Sequence, residues 1–237
     1  MIKRLQTIVE GSKNIVFFGG AGVSTESGIP DFRSSDGLFN QDFNVPPEVM
    51  LSHSYFVKHP EDFFRFYRSK MICLTAKPND AHYKLAEMES KGILTAIITQ
   101  NIDGLHQMAG SKNVLELHGS IHRNYCLKCG KEYSVKFILE STPIPQCSCG
   151  SMVKPDVVLY EEPLNNEVIE GAIDHISKAD TLIIAGTSLT VYPAAGMVHY
   201  FNGNDLVLIN RSATPMDSLA NLVIHDSVGK VLKEIKV

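Results

Sequence analysis

Apolar residues along this chain follow two rhythms. One is helical: Ile2, Leu5, Ile8 and Val9 share one face of a helix over residues 1–13. Leu85 and Met88 mark a second helix over 81–91, with Gly92 placed to cap it. The other rhythm is a set of short apolar runs at 15–18, 93–99, 114–117, 181–185, 206–209 and 222–224. Such runs suit strands buried on both faces of a parallel sheet. Further helices are predicted over 166–178, over 193–201 and in the last residues, and 157–160 is β-prone. Strands that alternate with helices predict an α/β fold, a parallel sheet covered by helices on both faces.

Residues 34–78 depart from this alternation. They are rich in aromatics, with Phe39, Phe43, Tyr55, Phe56, Phe63, Phe64, Phe66 and Tyr67, and show no parallel-strand pattern. They read as a mainly helical insertion over the first loop, with the aromatics as its core.

Small and polar residues gather where the strands end. The first strand runs into Gly19-Gly-Ala-Gly22, followed by Ser24 and Thr25. Gly20 and Gly22 fill the first two positions of a dinucleotide fingerprint, and Thr25 occupies the third. Ser24 and Thr25 are placed to open a helix whose free N–H groups face a phosphate. Gly28-Ile-Pro-Asp-Phe-Arg33 then forms an ordered, non-helical loop stiffened by Pro30. The next strands end in Gln100-Asn-Ile-Asp103, His118-Gly119, Gly186-Thr-Ser188, Asn210-Arg211 and His225-Asp-Ser227. In open parallel sheets that edge binds ligands. Bland readings exist for each: Asn101 and Asp103 suit turns, His118 could be structural, and the Asp31 loop could be solvated. Convergence of so many at one sheet edge is what those readings leave unexplained.

The bulk numbers narrow the classes. The 237 residues are 44% hydrophobic and 20% charged, enough for a core in one large domain or one and a half. A net charge of −4 argues against nucleic acid as the main partner. No run approaches a membrane span and the N-terminus lacks a signal-peptide core, so a cytoplasmic protein with no membrane partner is expected. Of five cysteines, four form two pairs, Cys126-x-x-Cys129 and Cys147-x-Cys149, which read as a zinc site. Four thiolates would fill the coordination sphere, so that zinc would be structural. The second pair is one residue short of the usual spacing, which strains the knuckle; a metal-free thiol cluster is the alternative. Cys73 reads as a buried small hydrophobe.

Taken together, the stretches Gly20 to Arg33, Thr99 to His106, Leu117-His-Gly119, the cysteine pairs, Lys154 to Tyr160, Gly186-Thr-Ser-Leu189 and Asn210 resemble the sirtuins, the NAD-dependent protein deacylases, of a compact bacterial or archaeal type. The resemblance covers almost the whole chain. It implies a Rossmann-type NAD-binding domain from 1–33, 79–119 and 157–237, with a small domain made of a helical module (34–78) and a zinc-ribbon module (120–156). It implies that Ala21, Thr25, Thr187, Ser188, Asn210, Asp226 and Ser227 hold the adenosine and phosphate parts of NAD, and that Phe32 and Arg33 cover the nicotinamide ribose. Gln100, Asn101, Ile102 and Asp103 would line the nicotinamide side. Asn101, Asp103 and His118 would be catalytic, His118 taking a proton from a ribose hydroxyl. The products would be free lysine, nicotinamide and O-acetyl-ADP-ribose. Val157, Val158, Tyr160 and Glu161 would pair with an acyl-lysine peptide by strand addition. The family usually has Phe-Gly-Glu where this chain has Tyr160-Glu-Glu, so Glu161 stands in place of a glycine.

Members that prefer acidic acyl groups carry Tyr-x-x-Arg in the helical module; the stretch read as equivalent here, Phe64-Arg-Phe-Tyr67, lacks that pair. Deacetylation is therefore expected over desuccinylation, by a monomer acting on acyl-lysine proteins or peptides. Two other readings share the nucleotide site: an NAD hydrolase or ADP-ribosyltransferase, and a non-catalytic module that senses NAD.

Overall fold

The computed structural model describes residues 1–32, 37, 38 and 45–237. Its strands, in chain order, are β1 (Ile15–Gly19), β2 (Leu94–Thr99), β3 (Val114–Glu116), β4 (Gly119–Cys126), β5 (Glu132–Tyr133), β6 (Val153–Val157), β7 (Thr181–Ala185), β8 (Asp205–Ile209) and β9 (Leu222–Ile224). Its α-helices are α1 (Ile2–Gly11), α2 (Pro47–Met50), α3 (His53–Lys58), α4 (Pro60–Phe66), α5 (Asp80–Ser90), α6 (Leu105–Met108), α7 (Val135–Glu140), α8 (Asn166–Lys178) and α9 (Val228–Lys233). Among the described residues no helix is long and apolar enough to cross a membrane.

Six strands form one parallel sheet in the order β3-β2-β1-β7-β8-β9. The order reverses between β1 and β7, which is the switch point where doubly wound sheets leave a crevice. Alternate residues of β1 serve opposite faces. Phe17 enters a core with Leu5, Leu85, Met88 and Val231, under α1, α5 and α9. Val16 and Phe18 enter another with Ala172, Ile176 and Met197, under α8. Both faces are therefore dry, which explains why these strands read as unbroken apolar runs.

The crevice forms because two glycine turns nest. Gly20 N–H donates to Ala185 O at 3.1 Å and Gly22 N–H to Gly186 O at 2.8 Å. Gly186 has φ +61°, and a Cβ there would lie 2.4 Å from Val23 N. Glycine at 186 thus answers to backbone packing. The helix expected after the first turn is instead two three-residue 3-10 turns, Ala21–Val23 and Thr25–Ser27.

The second sheet, β5-β4-β6, is antiparallel. β4 was not expected from the sequence. The strand expected over 157–160 lies earlier, at Val153–Val157, because pairing with β4 ends at Gly119 opposite Val157. The helical insertion is α2, α3 and α4, then a π-helical turn over Tyr67–Met71. Phe56, Phe63, Phe64, Phe66 and Tyr67 are buried and share one apolar cluster with Ile121, Ile138, Val153 and Val157 of the ribbon. Phe39 and Phe43 lie outside the described residues. Cys73 is partly exposed.

Candidate active site

Parallel pairing brings the C-terminal ends of the six strands to one edge, and hydrogen bonds join them there. After β2 the buried Asn101 side chain donates through Nδ2 to Gly20 O and to Ser24 Oγ, both at 3.1 Å. Ser24 Oγ in turn donates to Asp103 Oδ2 at 2.6 Å. The other oxygen, Oδ1, accepts from Leu105 N at 2.9 Å at the start of α6. Asp103 thus does turn chemistry with one oxygen and holds Ser24 with the other. Ser24 itself is 1% exposed; the sequence reading placed it only at the opening of a phosphate-facing helix and did not anticipate this pairing.

His118 follows β3. Its Nδ1 is 2.9 Å from Gln100 O. A carbonyl accepts only, so Nδ1 carries the proton and the Nε2 lone pair is left as the base. Burial pushes the imidazole below its ordinary pKa, and the Gln100 carbonyl partly opposes that. The ring is therefore neutral near pH 7 and ready to accept a proton. The Gln100 side chain continues the chain of bonds, donating to Thr187 Oγ1 at 3.0 Å after β7. Thr187 N donates to Asn210 Oδ1 at 2.9 Å after β8.

Asn210 offers a test of whether a nucleotide fits. It is buried, its oxygen is used, and its Nδ2 has no hydrogen-bond partner among the described residues. A buried donor without an acceptor is costly, so a ligand hydroxyl or ring acceptor there would satisfy it. Ala21 and Thr25 lie on the adjoining 3-10 turns, and Thr25 Oγ1 donates to Gly22 O at 3.0 Å.

Other predicted residues stand further from this network. Ser188 is exposed and its hydroxyl meets Thr190 Oγ1 at 2.8 Å. Asp226 accepts from Ser227 N and Lys230 Nζ, at 2.8 and 2.7 Å, and Lys230 holds its carboxyl below the usual range. Ser227 Oγ accepts from Arg211 Nε and Nη2 at 3.2 and 3.1 Å. Phe32 and Ile102 pack against the small module's apolar cluster. Arg33 lies outside the described residues.

The segment predicted to pair with peptide connects the ribbon to both other parts. Val157 ends β6, and Val158 N donates to His118 O at 3.0 Å. Tyr160 bridges to Ser52, with His53 N to Tyr160 O at 2.9 Å and Tyr160 N to Leu51 O at 3.0 Å. Among the described residues no hydrogen bond engages Val158 O or Glu161 N–H.

The cysteines meet in the ribbon. Their four Sγ atoms lie within 4.8 Å of one another, Cys126 to Cys149 at 3.4 Å and Cys129 to Cys147 at 3.6 Å. A tetrahedral zinc at about 2.3 Å from each sulfur fits that spacing. The shortened pair does not spread the set: Cys149 N–H reaches back to Cys147 Sγ at 3.5 Å, as Cys129 N–H does to Cys126 Sγ. Such bonds favour thiolates, and the Cys129 N–H, then that of Lys128, draws the Cys126 thiol below its ordinary value. With four protein ligands the site is closed and structural.

Comparison with known proteins identifies the family. The Sir2 family model matches residues 20–193. A relative from Clostridium perfringens (strain 13 / Type A), an NAD-dependent protein deacetylase, is 64% identical over 99% of this chain and 98% of its own. A solved structure of a Sir2 variant with deacetylated p53 peptide and 3′-O-acetyl ADP-ribose shares 38% identity at a TM-score of 0.92, covering 98% of this chain and 96% of that one. A Sir2 complex with p53 peptide and NAD+ shares 40% identity at a TM-score of 0.88, covering 98% and 96%. The chain, with its parallel sheet, its strand-end network and its four-cysteine ribbon, belongs to the Sir2 family.

Proposed function

We propose that this protein is an NAD-dependent protein-lysine deacetylase. One observation carries the reading: a half-buried, neutral His118 is held through Nδ1–H on the Gln100 carbonyl, which leaves its Nε2 lone pair as the base, one residue from an Asn101–Ser24–Asp103 network at the switch-point crevice. Asn210, Thr187, Ala21 and Thr25 would hold the nucleotide, with Phe32, Arg33, Ser188, Asp226 and Ser227 as further contacts. NAD, when bound, supplies nicotinamide as leaving group and ADP-ribose as acyl acceptor. Asp103 and Asn101, with Gln100 and Ile102, would face the positive charge that develops as the leaving group departs; Ser24 holds the carboxylate in place. His118 would accept a proton at Nε2, with Nδ1–H kept on Gln100 O throughout.

Val158 O and Glu161 N–H are an acceptor and a donor on either side of a turn closed by Glu162 N to Leu159 O at 3.0 Å. Both could be offered to a peptide main chain, with Val157 before them and Tyr160 between them. The shared apolar cluster supports reading 34–78 and 120–156 as one small domain facing the sheet.

Acyl choice follows from the insertion. Phe64 and Tyr67 are buried, and burial keeps the Tyr67 phenol protonated. The nearby Arg68 guanidinium is engaged by Ile138 O at 2.8 Å, Pro143 O at 3.0 Å and Ser141 O. It is committed to the ribbon and is not offered to a second carboxylate. The test is mass spectrometry of products from acetyl- and succinyl-lysine peptides incubated with NAD. Acetyl recovered on ADP-ribose, faster than succinyl, is expected. ADP-ribose alone, with the peptide still acetylated, would mean a hydrolase.

A further inference from the structure

Resting on the deacetylase reading, we propose that Glu161 is a positioning residue whose side chain clamps the peptide-pairing segment to the helical insertion and so sets peptide affinity. The backbone at Glu161 has φ +75°, a left-handed conformation that glycine takes freely and glutamate does not. A residue held there needs a side-chain gain to offset the strain. Glu161 has one: its Oε2 accepts from Ser54 N at 2.9 Å and from Ser54 Oγ at 2.6 Å. Ser54 lies in the first turn of α3, where backbone N–H groups have no partner within the helix.

The clamp is reinforced on both sides. The Ser52–Tyr160 bridge precedes it. After it, Glu162 meets His53 Nδ1 at 2.9 Å through one oxygen, and Lys154 Nζ and Leu159 N at 3.0 and 2.9 Å through the other. Residues 51–54 and 159–162 are thus tied face to face. The other end of the segment is tied to the His118 carbonyl through Val158 N. Between those ties lie Val158 O and Glu161 N–H, the groups proposed to meet peptide. A segment already held in place need not be ordered when peptide arrives, and that ordering would otherwise weaken binding. Glu161 is exposed and distant in sequence from the network at the strand ends, so its loss should be felt in peptide binding before chemistry.

The test separates clamp from strain. Steady-state kinetics are run with an acetyl-lysine peptide varied at saturating NAD, and with NAD varied at saturating peptide. For Glu161→Gly the clamp predicts peptide KM up about tenfold, with kcat and the KM for NAD within roughly twofold, since two hydrogen bonds from a carboxylate are removed. Glu161→Gln keeps both acceptor bonds and should stay within roughly threefold of the parent peptide KM. If strain were all that mattered, glycine would relieve it and peptide KM would hold or fall; that result overturns the proposal. So does an equal rise in both KM values, which would mark a general structural role. A parent enzyme that leaves the acetyl peptide intact sinks the deacetylase reading itself, whereas an active parent with an indifferent Glu161→Gly sinks the clamp alone.

Discussion

The sheet and the small module are built on different principles. The sheet has an apolar core on each face, with Phe17, Ile97, Ile183 and Val207 on one side and Val16, Phe18, Ile184 and Leu208 on the other. Its four inner strands are hydrogen-bonded to a neighbour on both sides. The module has one apolar cluster, shared by two insertions that are far apart in the chain, and the cluster includes Cys126 and Cys147. Its β5 strand is two residues long. A small body with one core usually needs a metal to stay folded. The proposed chemistry sits on the sheet, and the proposed peptide segment sits where the two parts join. Division of this kind lets the substrate platform vary without disturbing the site of bond breaking.

Metal removal should break the comparison most visibly. Structural zinc contributes on the order of 10 kcal/mol to small domains, far more than the module's single cluster can replace. Chelation, or Cys147→Ser, should abolish peptide deacetylation and remove amide-exchange protection across 120–156 and the facing aromatics of α4. Protection of β1, β7 and β8 should survive. Exchange that rises together in module and sheet would show that the two parts are one cooperative unit. Purified protein with no bound zinc would remove the four-thiolate site altogether.

His118→Ala tests the other side of the division. Loss of a general base typically costs about 10²–10⁴-fold in rate. The expected result is a kcat lower by that order, with the melting temperature and peptide affinity little changed, because among the described residues the ring's one hydrogen bond is to the Gln100 carbonyl. Unchanged turnover would remove His118 from the mechanism and return it to a structural role.

The same division governs what could be read from the chain. The sheet's strands were legible as short apolar runs: 181–185, buried on both faces, coincides with β7, 222–224 coincides with the edge strand β9, and the helix over 166–178 coincides with α8. Six parallel strands must end at one edge, so the gathering of Asn101, His118, Thr187 and Asn210 followed once the runs were identified. β4 was hidden because its register shifts between Ser120 and Asn124, which destroys the two-residue alternation that marks a half-buried strand. The pairing of Ser24 was hidden for another reason. Asp103 is 79 residues away, and no local spacing records that meeting. Asp226 and Ser227 show the reverse difficulty: the same letters that suit a ribose contact also suit the start of α9, where Asp226 meets Lys230.

The sheet has a weak point in acid. Beneath the site, His82 and His106 face each other with ring centroids 4.7 Å apart, and Phe17 lies edge-on to His106 at 6.2 Å. His82 Nδ1 accepts from Asn79 N, but its Nε2 and both nitrogens of His106 have no partner among the described residues. Burial lowers His82 to about 4, with the Asp103 charge opposing, and burial then the neighbouring His82 lower His106 to about 3. Both folded values lie below the unfolded value near 6.5. Between those limits the unfolded chain binds the protons and the folded chain does not, so stability is full above pH 6.5 and falls as pH drops toward 4. At pH 5 linkage puts the loss on the order of 2 kcal/mol for each imidazole. His106→Leu should therefore change absolute stability through packing, yet flatten the acid limb by about 2 kcal/mol between pH 7 and pH 5 relative to the parent. Urea unfolding of both proteins at the two pH values checks this, since every other titrating group is common to the pair. Parallel acid limbs would mean that His106 is already protonated in the folded sheet, and that the body is less dry than its two cores imply.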